Sequence, residues 1–367
     1  MESNALAFRQ EEGGMMMKRY VLLCSLGVAL CVMGPAWADV FQVGEGRLAA
    51  LQNKDGGWDW LLPDLNRNLS DAPNILAPTG MGLVAAYRVT GDPNYLAPLK
   101  KAGDYLLAKK PQYVTPEDGY FAVALDGIFG VTKYSDFVKK NFYEPLANGT
   151  YDYFGNGLFL MNTGTYVGVM RGAREHDGMA NMAALDCGLG LYAAHLIGAD
   201  TTVWIAATKQ EINQLNAAGA YGAYDVLGLA GAVLGLASVQ EDVDPTTGPY
   251  AAAGSLADLA NILAGYQLST GGFGWSSLSL KEGAENETVQ ETAIAVLALN
   301  ELDRNSYLDK ITKAADFLKS VQLPTGGWEN FFHQGECNLL TGEALWAIGA
   351  ADQAQEPENQ AQEPEQP

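Results

Sequence analysis

The stretch Lys313–Trp328, KAADFLKSVQLPTGGW, decides the fold. Ala314, Phe317, Leu318 and Val321 recur at helical spacing, so an amphipathic helix runs up to Gln322. The Gly326-Gly327 pair stops it, because glycine accepts the positive φ that a tight reversal needs. Gln322 can bond backbone groups freed at the helix end, while Trp328 packs over the turn. The same order of Gln, three residues, Gly-Gly and an aromatic stands at Gln52 to Trp58 and at Gln267 to Phe273. The last two copies lie 55 residues apart and the first two 215, about four such periods. Three further copies are therefore expected to have decayed between them. One is visible at Lys101-Ala102, Tyr105-Leu106 and Asp118-Gly119-Tyr120, with Lys110 in place of Gln322. Repetition at this period means stacked supersecondary units.

A second kind of helix follows each turn. Thr79–Val89, Met182–Gly198, Tyr224–Val239 and Thr292–Leu302 are rich in Ala, Gly, Leu and Val on nearly every face, which marks them as buried. Outer, amphipathic helices are expected to begin near Phe41, Asn94, Tyr134, Thr202, Ser255 and Ser306. Inner helices are expected near Thr79, Asp118, Met179, Tyr224, Glu287 and Asn338. A linear stack would leave two apolar end faces in need of caps, whereas a ring leaves none. The reading is an all-α protein, an (α/α)6 toroid of six hairpins with inner and outer rings.

The repeat resembles the QW repeat of squalene-hopene and oxidosqualene cyclases, and the repeats of protein prenyltransferase β-subunits and secreted bacterial toroid proteins. The resemblance covers three good copies and one poor one, and it implies the terpenoid cyclase and prenyltransferase superfamily fold. It does not carry over the chemistry. The acid motif Asp-x-Asp-Asp of hopene cyclases has its nearest string at Asp242-Val243-Asp244-Pro245, where proline replaces the last acid. Of the oxidosqualene cyclase motif Asp-Cys-Thr-Ala-Glu only Asp186-Cys187 agrees, and prenyltransferase zinc spacing is not reproduced there.

The ends of the chain read differently from its middle. Lys18-Arg19, an apolar run from Tyr20 to Met33 and Ala36-Trp37-Ala38 form a signal-peptide pattern with expected cleavage after Ala38, and the run is too short to span a membrane. Residues 354–367 repeat Ala-Gln-Glu-Pro-Glu and form a tail that cannot bury apolar surface. Residues 39–353 are the toroid domain, expected in the periplasm or secreted without a stable membrane anchor. With 22 Lys and Arg against 43 Asp and Glu, the net charge of −21 excludes nucleic acid as a natural partner. Cys187 and Cys337 fall on opposite sides of such a ring and are expected to be unpaired buried thiols.

Inner-helix N-termini should all meet at one mouth of the ring, with their positive dipole ends towards the cavity. Three polar clusters are candidates there. Arg171 to Asp177, a charged loop before the third inner helix, offers His176 as a general base beside Arg174 and Asp177. Glu287 and Glu291, one helical turn apart, could act as acid and base. His333, Glu336 and Cys337 could offer nitrogen, oxygen and sulfur to zinc; beyond that the sequence names no cofactor. Among the aromatics, Trp60, Trp275, Tyr120, Tyr221 and Tyr224 could line a ligand site, Tyr224 also as a catalytic base. Two functions follow. One is a non-cyclase toroid protein binding a small or chain-like molecule, such as a polyisoprenoid, in its cavity. The other is a polysaccharide lyase or glycoside hydrolase acting on glycans at the same mouth.

Overall fold

A computed structural model describes residues 37–60, 62, 73–152, 162–216, 223–278, 287–329 and 335–352. Among them, two kinds of helix alternate along the chain. The first kind shows one apolar stripe. In Leu96–Ala108 the buried residues are Leu99, Ala102, Gly103 and Leu106, and in Leu256–Gly265 they are Leu256, Leu259, Ala260, Leu263 and Ala264. Both sets follow the three-four spacing of one helix face. The second kind is buried all round, and every residue of Asp225–Ser238 is enclosed. The ring is therefore two layers deep, with amphipathic helices outside.

The inner helices Leu76–Thr90, Asp118–Phe129, Met182–Ile197, Asp225–Ser238, the first half of Val289–Ser320 and Asn338–Asp352 pack each on the next. The last packs on the first and closes the ring. Glycine makes that closure possible, since a Cβ on Gly342 would lie 2.4 Å from Thr79 Cα. The outer layer closes too. Gln322 Nε2 donates to Val40 O at 3.1 Å, and Asn338 Nδ2 donates to Asp59 O at 2.8 Å.

Each Gln turn has the same geometry. Gln52, Gln267 and Gln322 donate through Nε2 to the carbonyls of Gly56, Gly271 and Gly326 at 2.8–2.9 Å. The same nitrogens reach the next outer helix at Pro98 O, Lys310 O and Val40 O. Gly56, Gly271 and Gly326 have φ of +106°, +102° and +95°, and a Cβ would sit 2.2–2.5 Å from a carbonyl oxygen of that neighbouring helix. Trp58 and Trp328 bury their rings and donate Nε1 to Leu48 O and Leu318 O. The Gln thus ties three things at once: its own helix end, its turn and the next hairpin.

Two expectations need correction. The decayed copy makes no Gln-type turn. Asp118, Gly119 and Tyr120 open an inner helix, after a 3-10 turn at Pro111–Tyr113. Lys109 and Asp118 form a buried ion pair of 2.6 Å there. The third outer position also holds more than one helix, with Lys133–Val138 running through a π turn into Glu144–Ala147, followed by Thr163–His176. Val289–Ser320 passes from inner to outer layer through the single extended residue Asp303, φ −163°, which caps the outer half by accepting from Ser306 N and Oγ. Cys187 and Cys337 are buried and unpaired. No helix among the described residues is long and apolar enough to cross a membrane.

Candidate functional site

Most inner helices carry one acid in their first two turns, in a setting otherwise apolar: Asp118, Asp186, Asp225, Glu291 and Glu343. The alternation of layers brings these turns to one end of the ring. Asp118 is neutralised by Lys109 and accepts from Thr115 N at 2.9 Å. Arg174 grips Asp186 with two bonds of 2.7 and 2.8 Å, and Arg171 holds Glu175 and the buried Glu211. Asp225 accepts from Ser277 N through both oxygens at 3.2 Å.

Among the described residues, no cation pairs with Glu291 or Glu343. Glu291 accepts from Thr288 Oγ1, and Glu343 Oε1 accepts from Gln290 Nε2 at 3.2 Å. Glu343 Oε2 is buried with no partner among the described residues. Removal from water disfavours the charged form. It pushes Glu291 up to about 7 and Glu343 up to about 8, with the Glu291 charge raising Glu343 further. Glu117, at the start of the second inner helix, is pushed up to about 7 by the same desolvation, with Asp186 adding to it. The mutual repulsions run around the mouth from Asp225 to Glu291 to Glu343, and from Asp186 to Glu117. Tyr120, buried between them, feels both Glu117 and Glu343. Its ring packs 5.1 Å from Trp346 and 6.0 Å from Tyr192, tilted at 39° and 51°, in one aromatic cluster. The arrangement can hold protonated carboxyl groups at neutral pH in a water-poor space.

The residues singled out in the sequence separate into those that join this cluster and those that do not. Glu291 and Tyr120 join it. Glu287 is not on the helix: it lies in a two-residue strand, paired with Gly274, and the helix starts only at Val289. Its half-buried carboxyl is raised by desolvation, and Oε1 has no partner among the described residues. The Arg171 to Asp177 segment is no loop but the last turns of Thr163–His176 with Asp177 as its cap. Helical spacing turns Arg171 and Arg174 inward to their carboxylates, while His176 and Asp177 face solvent. Tyr224 has φ +51° at the entry to its inner helix. Trp275 is buried and Trp60 is exposed at the rim. Tyr221 and His333 lie outside the described residues. Glu336 is taken by Arg47, at 2.6 and 2.9 Å, and by Thr325. Burial pushes the Cys337 thiol up to about 11. No group of three metal-binding side chains occurs among the described residues, which leave out His333. Asp242, in the cyclase-like string, caps the outer helix Leu256–Gly265 by accepting from Leu256 N at 2.6 Å.

No protein-family model matches the sequence, and no curated protein matches it. Solved structures do. An unsaturated glucuronyl hydrolase specific for heparin superposes with a TM-score of 0.54 at 13% identity, over 86% of this chain and 96% of that one. An α-1,6-mannanase from Salegentibacter gives 0.51 at 14% identity, over 86% and 99%. A type II terpene cyclase from Scytonema, solved with geranylgeranyl dihydroxybenzoate, gives 0.50 at 12% identity, over 86% and 97%. The likeness is one of fold. It places the chain among α/α toroids, whose known members here act on glycans and on a terpenoid substrate.

Sequence reading missed Glu343 as an acid, Glu117, Gln290, Trp346 and Tyr192. A signal was present for Glu343: a lone glutamate in NLLTGEALWAIG has no place in an all-round apolar helix unless its burial is used.

Proposed function

We propose that the chain is an exported toroid protein of the QW-repeat type whose mouth binds a neutral glycan and cleaves it by acid catalysis, with Glu343 as the acid. The observation that carries this reading is Glu343 itself, buried, uncompensated by any described cation and raised to about 8, so that it holds its proton at neutral pH. A glycan fits because its glycosidic oxygen needs a proton to leave, and aromatic rings stand beside the acids. Glu343 gives its proton to the departing oxygen as the C–O bond breaks. Water attacks the sugar carbon, and its proton passes to Glu291. The site is reset when that proton passes from Glu291 back to Glu343.

A second reading rests on the same acid and the Tyr120–Tyr192–Trp346 stack: a polyisoprenoid chain lying against the aromatics, bound without turnover. A panel of neutral and acidic oligosaccharides incubated with residues 39–353 separates the two. Product from the native chain, and none from Glu343→Gln, supports the hydrolase. Binding of polyprenyl lipid with no product from any glycan transfers the mouth to the second reading, and equal turnover by Glu343→Gln removes Glu343 from the chemistry.

A further inference from the structure

The opposite end of the ring holds a cavity of about 270 Å³, lined by Arg88, Tyr192, Leu234, Leu297, Asn300, Glu301, Trp346 and Ala350. Most of these residues come from the C-terminal halves of inner helices, so the cavity lies on the ring axis behind the Tyr120–Tyr192–Trp346 stack. Its walls are of two kinds. Leu234 and Leu297 are buried and apolar, and Trp346 presents a nearly buried ring. Arg88 and Glu301 bring opposite charges to the same space without an ion pair between them, and His195 adds positive charge near Glu301. The Asn300 oxygen is occupied by Arg304 at 2.8 Å, which turns its amide nitrogen away from that bond.

We propose that this cavity binds a small zwitterion, a free neutral α-amino acid, with its carboxylate on Arg88, its ammonium on Glu301 and its side chain against Leu234, Leu297 and Trp346. A guanidinium offers paired donors that match a carboxylate. Helix C-termini gather partial negative charge, which favours the ammonium beside Glu301, and the indole face adds to the same preference. The volume accommodates one molecule of that size, and the charged pair sets its ligand apart from that of the mouth.

Calorimetric titration of residues 39–353 with the neutral L-amino acids tests it, L-leucine first, with isoamylamine and 4-methylpentanoate as the matched molecules lacking one charge each. The expected result is saturable binding of at least one neutral amino acid and at least about tenfold weaker binding of both single-charge analogues. Arg88→Ala and Glu301→Gln, both exposed positions, are each expected to weaken it by about tenfold, with unchanged thermal midpoints. Glu343→Gln, in the mouth, is expected to leave it unchanged. Absence of saturable heat up to about 10 mM for every neutral amino acid overturns the proposal. So does equal binding by the single-charge analogues or by the two variants.

Discussion

The Gln turns and the acids of the mouth occupy the same end of the ring, and they obey opposite rules. Gln52, Gln267 and Gln322 repeat at fixed positions, and each makes the same two bonds. The acids fall at different helical positions: Asp118 and Asp225 open their helices, Glu291 is one turn in and Glu343 nearer two. Two of them, Asp118 and Glu343, keep an oxygen with no described partner. What repeats is scaffold, selected to be satisfied; what departs from the repeat is where unsatisfied chemistry is kept.

Breaking the scaffold side should have the larger effect. Gly271→Val places a Cβ about 2.3 Å from Lys313 O at a φ that valine avoids. A loss of roughly 3 kcal/mol or more in urea unfolding is expected, with reduced yield of folded protein. Asp118→Ala strands Lys109, whose side chain is 2% exposed, and should cost about 3–5 kcal/mol. Replacing both partners by Leu and Met should recover most of that, because two desolvated charges are removed together. Gln322→Leu, at the outer seam of the ring, should cost about 1–3 kcal/mol by leaving Gly326 O and Val40 O short of a donor.

The acid side responds through pH. Glu291 and Glu343 ionise near 4.5 when unfolded and near 7 and 8 when folded. Raised folded values mean that the native state holds protons the unfolded chain has released, so stability is full below about 4.5 and falls as pH rises towards 8. The slope should be on the order of 1 kcal/mol per pH unit per group, and Glu343→Gln should flatten it without loss of stability at pH 7.

How much of this was legible depended on repetition. KAADFLKSVQLPTGGW names its helix, its stop and its buried ring by local rules, and the structure makes the same turn at each of the three places where that order stands. The second Gln bond, to the next outer helix, was not legible, because it joins residues 43 to 282 positions apart. The acid pair was half legible. Glu291 was found by its spacing from Glu287, although a two-residue strand and not a helix turn connects them. Glu343 was missed as an acid, because nothing local reveals that it meets Gln290 from a neighbouring helix. The charged run at Arg171 to Asp177 drew attention by density, and it proved to be two arginines neutralising buried acids, with His176 on the solvent side.

The most direct measurement is an infrared titration of carboxyl groups between pH 5 and 9, on residues 39–353 and on Glu343→Gln. The account expects a protonated carboxyl band that persists at pH 7, disappears with a midpoint near 8 and is missing from the variant. Complete ionisation of every carboxyl below pH 6 would contradict it, and would leave the mouth a ring of ordinary buried acids without a proton to give.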